Sequence, residues 1–227
     1  MIDICLATKN RNNELAAALD SLLAQTAAGH INLYIIDGNP DDGALYILKD
    51  LVRDRMPWTH FKDADLNNKP TWPRLYNFLA KNGTGEFVSY WSDDAIIVND
   101  GLLEACVKNI GDHDAIAIPF KGVDDPDEPS FQHLWEEIHT LDTVVNYGLI
   151  RRTTWETLGG LDEDFDFYYA DVWLATQIIM RGGSIGKLSA QDGHIINNRH
   201  NSIWRNALHY NLRKDSATYY KKLKMLT

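Results

Sequence analysis

Residues 2–7 form an apolar run broken once, by Asp3. Their number, and the polar break that follows from Thr8 to Asn13, predict a buried strand. Leu15, Leu19, Leu22 and Leu23 then recur at helical spacing, with Asn12 or Asn13 placed to cap that helix. Residues 31–36 predict a second strand, closed by the turn-forming Asp37-Gly38-Asn39-Pro40-Asp41-Asp42-Gly43. Leu45, Leu48, Leu51 and Val52 mark a second helix. This strand–helix–strand–helix order is the sequence form of a parallel sheet with crossover helices.

The alternation continues along the chain. It predicts a short strand at 58–61, a helix from Pro73 to 81, a strand at 86–91, a helix at 101–110 and a strand at 115–119. Residues 121–130 are acidic and contain two prolines, which reads as a surface loop. Strands at 144–151 and 184–188 flank a helix at 171–181 that stops at Gly182-Gly183. A last helix is expected from Ile203. The class is α/β: one domain over residues 1–200, with a C-terminal helical extension, 201–227, packed on it.

Bulk properties narrow the reading. A chain of 227 residues is long enough for one sizeable core and short for two. The net charge of −10 argues against a nucleic-acid partner gripped through its phosphates. Cys5 and Cys106 read as buried thiols in a reducing compartment. Neither a secretory leader nor an apolar run of membrane length is visible, so the expected location is cytoplasmic. The segment 199–227 holds seven Lys/Arg against one Asp. It reads as a solvated helix face, or as a peripheral contact with an anionic membrane.

Ligands of an open parallel sheet bind outside the carboxyl ends of its strands. Three polar clusters fall at such ends: Thr8–Arg11, Asp37–Asp42 and Ser92–Asp94. The adjacent carboxylates Asp93 and Asp94 call for a positive partner, and a hard divalent cation completed by a diphosphate would suit them. The competing reading makes them acids capping the helix at Gly101. Asp37 can accept from a base edge or a ribose, or can close an Asx-turn. Asp171, beside Tyr168, Tyr169 and Ala170 at a helix start, suits a general base or a favourable helix-dipole charge. His194 and His200 are candidate metal ligands or ordinary surface residues. Seven tryptophans, among them Trp72, Trp91 and Trp173 near these elements, offer faces for sugar rings or simply core packing.

Taken in order over residues 1–200, these motifs resemble the inverting nucleotide-sugar glycosyltransferases of the GT-A fold, family 2 in particular. Residues 2–11 resemble the family's opening strand and its base-binding end. Residues 35–43 resemble the acid-turn-acid segment. Asn77 with Gly85-Glu86-Phe87-Val88 and Ser92-Asp93-Asp94 resembles the helix, turn and Asp-x-Asp metal motif. Gly159-Gly160-Leu161-Asp162-Glu163, Ala170-Asp171 and Arg181-Gly182-Gly183 resemble the later signature. Ser92 stands in place of the first acid of the metal motif. Ala170 stands in place of the first acid at the helix start, and Tyr76 in place of an arginine, which Arg74 can replace.

The resemblance implies a mixed, mainly parallel Rossmann-like sheet and a single displacement on a nucleotide-diphosphate sugar, UDP-linked by analogy. Asp171 would be the base. Asp94, helped by His194 or His200, would hold Mn2+ or Mg2+. Thr8, Asn10 or Arg11, Asp37 and Asp93 would hold base and ribose, with Lys69 or Arg74 offsetting phosphate charge. A glycan or glycoconjugate acceptor would enter over residues 121–143, where Trp135, His133 and His139 lie, with Trp91, Gly148, Tyr169 and Ala170 on the sugar side. The absence of glycine from residues 8–13 sets aside nucleotidyltransferases and nicotinamide dehydrogenases. A non-catalytic sugar-nucleotide-binding protein on the same fold is the alternative, suggested by Ser92 and Ala170.

Overall fold

A computed structural model describes residues 1–66, 70–122, 143–197 and 205–226. Strand β1 (Ile2–Thr8) lies inside a seven-stranded sheet of order β3-β2-β1-β4-β8-β6-β9. The other strands are β2 (Ile31–Asp37), β3 (Trp58–Lys62), β4 (Phe87–Ser92), β6 (Ala115–Ala117), β8 (Leu149–Arg151) and β9 (Ile185–Lys187). β3, β2, β1 and β4 run parallel, while β8 runs antiparallel to both β4 and β6. This is the mixed, mainly parallel sheet that the alternation and the resemblance predict.

Alternation along β1 divides the core. Ile2, Ile4 and Leu6 face one layer with Leu15 and Leu19 of helix α1 (Asn12–Leu23) and Leu102 and Cys106 of α4 (Leu102–Asn109). Cys5 faces the other layer with Tyr76 of α3 (Trp72–Asn82), Trp155 of α5 (Arg152–Leu158), Trp173 of α6 (Ala170–Met180) and Tyr219 of α7 (Arg205–Lys224). Asp3, the polar interruption in the first strand, is fully buried on that second face. It pairs with Arg152 at 2.6 Å and accepts the Gly85 N–H at 2.6 Å. A buried carboxylate is tolerated because both oxygens are satisfied, Oδ2 by these two groups and Oδ1 by Asn32 Nδ2 at 2.9 Å.

Several elements depart from the periodic reading. α2 (Gly43–Ile47) runs on as a π-type turn through Val52, so the second helix is irregular. Arg11, and neither Asn12 nor Asn13, occupies the cap of α1, with no side-chain hydrogen bond. Lys121 and Gly122 belong to a strand, β7 (Phe120–Gly122), where a loop is expected. Of 144–151 only Leu149–Arg151 is strand, and α5, unmarked by periodicity, follows it directly. β5 (Ala95–Ile97) and β10 (Ile195–Asn197) join β7 in a second sheet of order β5-β10-β7. Three-residue strands carry too few side chains for a period of two to register.

Candidate functional site at the carboxyl ends of the strands

Parallel register brings the predicted clusters side by side. Thr8 lies opposite Asp37, and Ala7 lies opposite Ser92. The β1–β4 boundary is where strand order reverses, the place where an open α/β sheet leaves a crevice.

On the β4 side, Thr8 Oγ1 donates to Asp93 Oδ2 at 2.9 Å. Arg11 Nη1 donates to Asp93 Oδ1 and to Asp94 Oδ2, both at 2.9 Å. Ser92 Oγ donates to Asp94 Oδ1 and also meets the Tyr147 hydroxyl at 2.9 Å. Tyr147 OH in turn accepts from Asn197 Nδ2 at 2.9 Å, and its backbone is held at a φ of 57°. Burial pushes the Asp93 carboxyl up to about 6, against the pull of the Arg11 guanidinium. The acids do not cap α4: β5 intervenes, and Gly101 is the cap residue.

On the β2 side, Asp37 is fully buried. Its Oδ1 accepts the Asn39 N–H at 2.8 Å, so the Asx-turn is formed. Its Oδ2 pairs with Lys62 at 2.9 Å and lies 3.5 Å from His60 Nε2. Asn10 donates its N–H to Asn39 Oδ1, tying the β1 end to the β2 turn.

The third part is the start of α6. Asp171 is half-buried, and burial pushes its carboxyl up to about 6 despite hydrogen bonds from backbone N–H groups, that of Val172 at 2.9 Å among them. A base tuned toward neutral pH is what general-base catalysis uses. Tyr169 before it adopts a left-handed backbone, φ 64°, and its ring packs on Tyr219 of α7 at 5.3 Å.

The remaining predicted residues fall elsewhere. Trp91 is 2% exposed, and its indole N–H donates to Ser89, so it is core and offers no face to a sugar. Gly148 is buried where a Cβ would meet the Ile116 carbonyl at 2.0 Å, a requirement of close strand packing. Ala170 is fully buried. Arg74 pairs with Glu163 at 3.2 Å in a shallow cleft with Asn77, Phe78 and Lys81. Asn197 lies opposite Ala95, beside Asp94, whereas His194 lies beyond the other end of β10, its carbonyl accepting the Val98 N–H at 3.2 Å. Three residues of strand, roughly 10 Å, separate these two ends of β10. Lys69, His133, Trp135, His139 and His200 lie outside the described residues. Lys62, Tyr147 and Asn197 carry no mark in the sequence: strand pairing sets Lys62 opposite Asp37, and Tyr147, bonded to Asn197, reaches Ser92 only through tertiary packing.

This geometry and the sequence agree with known proteins. The model of glycosyl transferase family 2 matches residues 3–167. The chain belongs to that family. It is 22% identical over 212 residues to the O-antigen biosynthesis protein RfbC of Myxococcus xanthus, covering 80% of this chain and 16% of that protein. Among solved structures, this GT-A chain superimposes on Staphylococcus aureus TarS with a TM-score of 0.69 at 18% identity, over 87% of this chain and 36% of that one. It superimposes on the mannosyltransferase PcManGT of Pyrobaculum calidifontis, in complex with GDP-Man and Mn2+, with a TM-score of 0.72 at 16% identity, over 97% of this chain and 64% of that one. A TarS fragment, residues 1–349, in complex with UDP-GlcNAc gives 0.66 at 19% identity, over 88% and 59%. The chain therefore spans less than two thirds of each of these relatives.

Divalent metal is common to GT-A enzymes, but among the described residues no three His, Cys, Asp or Glu side chains gather around one ion. Asp94 has both oxygens engaged, one by Ser92 and one by Arg11. The described residues do not fit a resident ion as they stand. No described helix is long and apolar enough to cross a membrane. In the basic C-terminal helix, Lys214 pairs with Asp166 at 2.6 Å, and Lys222 with Asp162 at 2.8 Å and Asp164 at 2.6 Å.

Proposed function

We propose that this chain transfers a sugar from a nucleoside-diphosphate donor to a hydroxyl of a glycan or glycoconjugate. The observation that carries the reading is the register setting Thr8, Asp37 and the Asp93–Asp94 pair along one line of strand ends. The nucleoside lies over that line. Asp37, paired with Lys62, and the amide-rich turn at Asn39 face the base. Thr8 and Asp93 take the ribose hydroxyls. TarS with UDP-GlcNAc and PcManGT with GDP-Man support a donor of this class, UDP-linked by our preference. The RfbC relative supports an acceptor within polysaccharide assembly.

Asp171 is the base. As the acceptor oxygen attacks the anomeric carbon, the carboxylate takes its proton and the nucleoside diphosphate leaves with the bonding pair, giving inversion. A raised pKa strengthens the carboxylate as a proton acceptor while leaving it largely ionised at neutral pH. The test is Asp171→Asn: donor binding is retained and transfer falls by roughly a hundredfold or more. Undiminished transfer in that variant removes Asp171 from the mechanism. A parent protein that binds donor but never transfers or hydrolyses it favours the binding-protein alternative.

A further inference from the structure

The acid pair already has a cation. Arg11 Nη1 sits at 2.9 Å from one oxygen of each acid, and the side chain is 30% exposed while both carboxylates are about 5% exposed or less. The remaining two oxygens are taken by Thr8 and Ser92 hydroxyls. All four carboxylate oxygens are therefore satisfied by side chains of the chain itself. The hydroxyl on Asp94 comes from Ser92, the residue standing where a third carboxylate would otherwise enlarge the negative charge. Ser92 is in turn fixed by Tyr147 and Asn197.

We infer that Arg11 is the resident cation of the Asp93–Asp94 pair, and that a divalent ion enters this site only by displacing it. Two like charges cannot share one pair of carboxylates at close range without strong repulsion. A fixed guanidinium also has the advantage of being always charged and of donating several N–H groups in a plane. It offsets one of the pair's two negative charges before any ligand arrives. Because Arg11 caps α1 in the turn that follows β1, next to Asn10, it stands beside the proposed donor. There it supplies positive charge to the diphosphate in the absence of metal. The displacement by an ion follows from the contacts alone; only the role toward diphosphate rests on the proposed donor site.

Mn2+ binding followed by electron paramagnetic resonance, without nucleotide, tests the displacement. The parent protein is expected to bind Mn2+ weakly. Arg11→Met, which leaves the two acids without a cation, is expected to bind at least tenfold more tightly and to gain melting temperature on adding Mn2+, by mass action. Arg11→Gln, smaller and polar, gives the same result if the methionine variant does not fold. Equal Mn2+ affinity in parent and variants, or tight binding by the parent, overturns the inference. Calorimetry with UDP and GDP in EDTA and in Mn2+ then separates the two readings. Failure of both nucleotides under all conditions counts against the donor site alone. Binding by the parent that falls tenfold or more in EDTA counts against Arg11 as the cation.

Discussion

Asp215 of α7 accepts the main-chain N–H of Tyr168 at 2.8 Å, three residues ahead of Asp171. The same carboxylate accepts the N–H groups of Asp166 at 3.0 Å and Phe167 at 2.9 Å. It is fully buried. One C-terminal side chain thus holds the backbone turn that delivers the proposed base, and Tyr219 packs its ring against Tyr169 one helical turn further on.

Asp215→Ala leaves three part-buried main-chain donors without their acceptor, at a cost of about 1–3 kcal/mol in urea unfolding. Asp215→Asn keeps one accepting oxygen and is expected to lose less. In the asparagine variant, nucleotide binding at the far strand ends is retained while turnover falls, because the turn before Asp171 loosens. A proportional loss of both would mean that α7 serves general stability only.

The Asp171 carboxyl, raised from 3.8 to about 6, fixes two pH effects of defined sign. Transfer should rise with pH through about 6, as the base ionises. Stability runs the other way. The folded chain holds this proton more tightly than the unfolded chain, so the contribution is most favourable below 3.8 and declines as pH climbs to about 6. The decline is roughly 3 kcal/mol at most. Asp171→Asn removes it, and the variant should be at least as stable as the parent at pH 8. Urea titrations of both proteins at pH 8 and pH 5 check the difference. A less stable variant at pH 8 contradicts the buried-carboxylate account.

Much of this was legible in the chain because long elements repeat. β1, β2, β4, α1 and α3 carry enough apolar positions for their period to show, and the ends of the three strands already mark Thr8, Asp37 and Asp94. What was hidden depends on pairing. Lys62 is one of several lysines until β3 is laid beside β2. Tyr147 sits where a strand was expected and is instead turned by a positive φ. Trp91 looked like a sugar platform because a sequence does not say which face of a strand is inside. Arg11 looked like a base contact, and its bridge to both acids appears only when residues more than eighty positions apart are brought together.

Removing the cation from the buried Asp3–Arg152 pair tests the second core layer. Arg152 donates to Asp3 at 2.6 Å and to the Ala80 carbonyl at 3.0 Å. Arg152→Met strands a fully buried carboxylate and should cost about 3–5 kcal/mol. The double variant Asp3→Asn, Arg152→Met should recover part of that loss, since no charge is left uncompensated. Calorimetric melting of the three proteins reads the coupling, and equal losses in the single and double variants would show that packing, not charge, sets the cost.

The central claim is a nucleotide site along the ends of β1, β2 and β4. Isothermal calorimetry of UDP and GDP against the parent protein and against Asp93→Asn and Thr8→Val tests it most directly. The account predicts that one of the two nucleotides binds the parent and that each variant weakens it about tenfold or more, with the fold intact by circular dichroism. Binding of neither nucleotide to the folded parent, or binding unchanged in both variants, contradicts it.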